Sequence, residues 1–164
     1  MRWLEKEARG RQVPLCIIGF FDLKLAYVFL ALGIAYFLNF DVPPVNREPI
    51  PIFTFSFPII LLLGVFAEEV IFRLPLAIAV ELGWSITKIL AVAAILSIIF
   101  GLAHGSIYHV FFQGVGGLIY SVLFLKCGGF QGNYPKAIIT TIILHFLYNA
   151  VVVLSVIANG ATSI

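Results

Sequence analysis

Ile89-Leu90-Ala91-Val92-Ala93-Ala94-Ile95-Leu96-Ser97-Ile98-Ile99-Phe100 begins a run, residues 89 to 125, that contains no Asp, Glu, Lys or Arg. Roughly 20 apolar residues cross the hydrocarbon core as a helix, so this run is long enough to enter a bilayer and return. Its apolar residues are continuous and do not alternate, which favours helices over a barrel. Gly105 and Ser106 divide it, predicting helices over 86–103 and 110–125. A second uncharged run follows Lys136 and predicts a last span over 137–157.

The whole chain fits that reading. It is 62% hydrophobic and 11% charged with a mean hydropathy of +1.10, whereas a soluble domain is about 25% charged. The expected fold is all-α: a single membrane-embedded domain over 1–164, a polytopic transmembrane bundle of about five spanning helices. A formal net charge of +2 without a basic face excludes nucleic acid as a partner. Cys16 and Cys127 lie far apart in apolar sequence and predict buried free thiols, not a disulfide framework.

Towards the N-terminus, residues 1–12 carry Arg2, Glu5, Lys6, Glu7, Arg9 and Arg11 and predict a short surface helix. The apolar run from Val13 carries Asp22 and Lys24 and offers no small-residue cleavage site, so it is expected to be retained. The first span is expected over 23–40, with 13–22 extending it or lying along the interface. Asp41 to Pro51 is a proline-rich loop. Pro58 suits the first turn of a long helix over 57–82, kinked at Pro75 and ended by Gly83. A Gly-rich loop joins Lys126 to Lys136.

With the N-terminus cytoplasmic, inside segments carry Arg2, Lys6, Arg9, Arg11, Lys88, Lys126 and Lys136, against Arg47 alone outside. An integral, multi-pass protein with a cytoplasmic N-terminus is therefore expected.

Within the long helix lies Ala67-Glu68-Glu69-Val70-Ile71-Phe72-Arg73, two carboxylates and an arginine in apolar surroundings. Each ionised group costs about 2.5–3.5 kcal/mol at the bilayer centre on insertion scales, so partners or water must offset it. Glu69 and Arg73 are four apart and can pair along one face, while Glu68 points about 100° away. The other polar residues counted within spans are His104, Gln113, His145 and Asn149. Phe100 shares a face with His104, as His145 does with Asn149.

A carboxylate, two imidazoles and an amide from three helices could deprotonate a water and hydrogen-bond an oxyanion. Glu68, His104 and His145 could equally hold a divalent metal such as zinc, since two His and one Glu form an open zinc shell. At about 1.5 Å per residue, however, His104 and His145 are expected about 15 Å apart in depth. Each residue alone also has a plainer reading. Glu69 and Arg73 make a structural pair, His104 or His145 a helix contact, and Tyr108, His109 and Gln113 packing or loop residues.

Three motifs in order carry a resemblance. Glu68-Glu69-Val70-Ile71-Phe72-Arg73 resembles the EExxxR motif of the CAAX prenyl protease and bacteriocin-processing (Abi, CPBP) family. Phe100-Gly101-Leu102-Ala103-His104 resembles its FxxxH motif, and His145-Phe146-Leu147-Tyr148-Asn149 its HxxxN motif. The similarity covers about residues 57–157. The chain departs from the family in carrying Leu74-Pro75 after the arginine, where glycine is frequent.

The resemblance implies an intramembrane endopeptidase acting on a membrane-associated or lipidated peptide. Glu68 would be the general base with His104 assisting, Glu69 and Arg73 would support it, and His145 with Asn149 would form the oxyanion site. The expected partners are a peptide or lipidated protein substrate and membrane lipid. No HExxH signature is present, which points to metal-free hydrolysis with no required cofactor. Two other classes compete: a non-catalytic immunity or scaffold protein of the same fold, and an ion or proton transporter. The small number of intramembrane polar residues and the absence of an inverted repeat disfavour the transporter. A rhomboid-type serine protease is disfavoured because Ser106 lacks a GxSG context.

Overall fold

A computed structural model describes residue 8 and residues 12–37, 57–105 and 107–160 of the chain. Five long helices follow one another, with no strand among the described residues: α1 (Gln12–Phe37), α2 (Phe57–Glu81), α3 (Ile86–Ala103), α4 (Val115–Lys126) and α5 (Tyr134–Gly160). A π-helical turn, Val110–Gly114, leads into α4, and a 3-10 turn, Gly129–Gln131, leads out of it. Except for Ala8 and Gln12, the expected surface helix over 1–12 lies outside the described residues, as do the proline-rich loop and Ser106.

The helix ends follow local chemistry. Residues 13–22 extend α1 instead of lying along the interface, with Pro14 tolerated in the first turn. The chain α2 continues through Pro75 to Glu81. Gly83, at φ 67°, then ends it: Gly83 N–H donates to the Val80 carbonyl at 2.9 Å and Trp84 N–H to the Ala79 carbonyl at 3.1 Å. Those two bonds satisfy carbonyls that the helix end leaves open. The span expected over 86–103 matches α3. The last helix starts at Tyr134, earlier than expected, because Pro135 fits a first helical turn.

Helices α1, α3 and α5 are long and apolar enough to cross a bilayer, over Gln12–Ile34, Ile86–Ala103 and Tyr134–Ser155. The five expected spans thus divide into these three and two of different character. The α2 helix is long enough but carries Glu68, Glu69 and Arg73, and Val110–Lys126 is apolar but shorter. Large apolar side chains such as Phe29 (72% exposed) and Phe37 (83%) face outwards. Soluble monomers rarely expose apolar surface on this scale, and lipid accounts for it. The protein is an integral membrane protein.

The short helix α4 is the central post, in contact with each of the other four. Its small residues permit this. A Cβ on Gly117 would lie 3.0 Å from the Phe100 ring, and one on Gly114 would lie 2.8 Å from the Ser97 carbonyl oxygen. One core cluster joins Leu76, Ala93, Phe124 and Ala137 from four helices. A second joins Tyr120, Leu123, Cys127 and Leu144 with Ala8.

One end of the bundle is laced together by polar bonds. Ala8 N–H donates to the Lys126 carbonyl at 3.1 Å and Lys136 Nζ donates to the Ala8 carbonyl at 2.6 Å. Tyr134 Oη donates to Glu81 Oε1 at 2.6 Å. Ala8, the end of α2 and the α4–α5 connection therefore share one end of the bundle.

Two outcomes follow from this packing. A Cβ on Gly101 would stand 2.4 Å from Val110 Cα and 2.9 Å from the His109 carbonyl oxygen, both backbone atoms that cannot turn aside. Gly101→Ala is expected to destabilise the bundle by about 1–3 kcal/mol, read as a lowered thermal midpoint in detergent micelles. Both cysteines are free, and Cys16 packs against the cluster that contains Cys127. Burial pushes the Cys127 thiol, in the turn after α4, up to about 12. At pH 8 it stays protonated, and a maleimide is expected to label it only after denaturation in SDS.

Candidate functional site

The site grows from α2. Glu69 is fully buried and Arg73 is 1% exposed, one turn apart on the face turned into the bundle. Arg73 Nε donates to Glu69 Oε2 at 2.8 Å, and Nη2 reaches Glu69 Oε1 at 3.5 Å. The remaining guanidinium nitrogen serves α4: Nη1 donates to the Ser121 hydroxyl and to the Gly117 carbonyl at 3.3 Å. Ser121 Oγ donates to that same carbonyl at 2.9 Å. The expected Glu69–Arg73 pair is thus present and is also the joint between α2 and α4.

The third arm of the joint comes from α5. His145, 4% exposed, donates through Nδ1 to Glu69 Oε1 at 2.8 Å. A carboxylate held by Arg73 can only accept, so this bond fixes the proton on Nδ1. The other ring nitrogen, Nε2, faces Glu68 Oε2 at 3.6 Å. That separation exceeds a hydrogen bond, and both atoms can be reached by one water lying to the side of the line that joins them. Glu68 behaves as its helical phase predicts. Its side chain is 38% exposed, beside a neighbour that is fully buried.

The second histidine is held differently. His104 caps the end of α3, and its Nδ1 donates to the Phe100 carbonyl at 2.7 Å. It also packs edge-on against the Phe100 ring, centroids 4.6 Å apart, and stacks on His109 at 6.4 Å. The Phe100 ring in turn lies 6.1 Å from the His145 ring and 4.9 Å from Phe72. Phe100 is thus a neighbour of both imidazoles, which brings the two rings closer than the about 15 Å expected from residue counts.

Asn149 is half-buried one turn beyond His145 and makes no hydrogen bond to Glu68, Glu69 or His145. Among the described residues no group of three His, Cys, Asp or Glu is arranged to hold a metal ion.

Sequence reasoning passed over several participants. Ser121 and the Gly117 carbonyl, four apart on α4, anchor Arg73. Tyr120 stacks on His145 with centroids 4.6 Å apart and planes inclined by 27°. Lys24 of α1, 4% exposed, donates its ammonium to the Tyr120 hydroxyl and lies 3.5 Å from the Tyr148 ring centroid. The signal for Lys24 is that it and Asp22 are the two charged residues of a long apolar helix. Gln113 lies in the π-helical turn, and its Oε1 is buried without a hydrogen-bond partner.

Breaking a buried ion pair by removing one member costs about 3–5 kcal/mol, because the other charge stays buried. Arg73→Met is therefore expected to destabilise the protein by that amount in detergent unfolding, and Glu69→Leu combined with Arg73→Met to recover part of it.

A family model described as type II CAAX prenyl endopeptidase Rce1-like matches residues 50–151. No curated protein and no solved structure matches the chain. The matched segment includes Glu68, Glu69, Arg73, Phe100, His104, His145 and Asn149, and leaves Lys24 outside.

Proposed function

The chain belongs to the Rce1-like type II CAAX prenyl endopeptidase family, and from that premise we propose that it is an intramembrane endopeptidase driven by glutamate-activated water. The substrate is a membrane-associated or lipidated peptide, in keeping with the family's prenylated chains. The observation that carries this reading is the approach of Glu68 Oε2 to within 3.6 Å of His145 Nε2. With the His145 proton on Nδ1, both atoms accept, so a water lying to one side of the line that joins them can donate to each.

In the reaction Glu68 takes a proton from that water as its oxygen adds to the peptide carbonyl. The carbonyl π electrons move onto oxygen, and the Asn149 amide donates a hydrogen bond to the resulting oxyanion. The intermediate then collapses, the C–N bond breaks, and Glu68 returns its proton to the departing amine. His145 orients the water, and Glu69 with Arg73 holds His145. His104, its Nδ1 occupied by the Phe100 carbonyl, presents Nε2 to the outer end of the site, where it assists proton exchange with bulk water. The N-terminus faces the cytoplasm in this reading, following the positive-inside distribution.

Purified protein in lipid vesicles is expected to hydrolyse a lipidated fluorogenic peptide. General base catalysis contributes roughly 10²- to 10⁴-fold, so Glu68→Gln should lose rate on that scale while remaining folded. Asn149→Ala and His145→Ala should each fall well below wild type. Full activity in Glu68→Gln sinks the assigned base. A biological effect that survives all three substitutions favours a scaffold or immunity role instead.

A further inference from the structure

The reaction as written draws on α2, α3 and α5, braced by α4, and gives α1 no part. Yet α1 sends one cation into the bundle. Only 6% of its apolar stretch is buried, and Lys24 is the exception at 4% exposed. Burying an ammonium is costly unless it is hydrogen-bonded and partnered. Lys24 has both kinds of partner. It donates to the Tyr120 hydroxyl, and its Nζ lies 4.3 Å from the Tyr120 ring centroid and 3.5 Å from that of Tyr148. A cation over an aromatic face is attracted by the ring quadrupole, more strongly where water is excluded.

Room for the ammonium depends on one residue. A Cβ on Gly116 would stand 2.8 Å from Lys24 Nζ. The two aromatic partners also bracket one residue of the site. Tyr120 is the ring on which His145 stacks, and Tyr148 follows His145 by three positions on α5. The bond from His145 Nδ1 to Glu69 holds one edge of the imidazole. The Tyr120 face bears on its flat side and resists tilting of the plane.

We propose that Lys24 is a positioning residue for His145, acting through Tyr120: it holds the tyrosine ring that fixes the imidazole plane and so aims Nε2 at Glu68. The kinetic part rests on the peptidase reading above; the geometric part does not.

Two readouts separate them. The first is kinetic, in vesicles, per folded enzyme. Misplacing a reacting group by about 1 Å can cost up to roughly 100-fold, so Lys24→Met is expected to lower kcat by about 10- to 100-fold with KM within about twofold. Tyr120→Phe should act in the same direction, and the double variant should be no worse than the stronger single one. Losses that multiply, or an unchanged kcat, overturn the proposal.

The second readout needs no activity. With ¹³C-histidine labelling in nanodiscs, the His145 Cε1–H resonance is shielded by the Tyr120 face and should move downfield in Lys24→Met. Gly116→Ala keeps the lysine but crowds its ammonium, and should move the same resonance should Lys24→Met fail to fold. A His145 resonance that stays at its wild-type position in a folded variant overturns the proposal. Inactive wild-type protein would remove the peptidase reading alone, and the resonance would still decide the role of Lys24.

Discussion

The guanidinium of Arg73 is the constraint on which the rest of the site depends. One nitrogen edge neutralises Glu69 on its own helix, and the remaining nitrogen holds the Ser121 hydroxyl and the Gly117 carbonyl on α4. Only with Glu69 so held can its second oxygen accept from His145 on α5. Three helices are thereby locked in rotation about their axes by one charge network. Hydrophobic packing alone is non-directional and would not choose that rotation. Buried pairs of this sort are weak evidence for stability, and their value here is in specifying one arrangement.

Within that network the two adjacent carboxylates take different environments without any difference in residue type. Glu69 points into the bundle and has both carboxylate oxygens engaged. Glu68, one residue earlier, is turned about 100° and remains partly exposed. The backbone period of the helix separates a structural acid from an accessible one. A one-residue insertion just before Glu68 would turn both by about 100° and carry Glu68 into the place now held by Glu69.

Much of this was legible in the sequence. Apolar run length set the helices, and α3 agrees with the span read from residues 86–103. The four-residue spacing of Glu69 and Arg73 set their pairing. What was not legible depends on how helices are turned towards one another. Nothing in the spacing of His145 says that it reaches Glu69, or that Phe100 packs against both imidazoles. Lys24 escaped notice because its partners are tyrosines on α4 and α5, with no local pattern around the lysine to mark them. The helix α5 was placed late because Pro135 was taken as loop, although proline is at home in a first helical turn.

The shortness of the central post is allowed by its position. Val110–Lys126, at about 1.5 Å per residue, reaches only roughly 25 Å, less than the roughly 30 Å of a typical hydrocarbon core. A lipid-facing helix of that length would impose a mismatch on the bilayer. Helix α4 instead has most of its residues buried against the other four helices. The longer α1, α3 and α5 meet the hydrocarbon, and the post is released from the length rule that binds them.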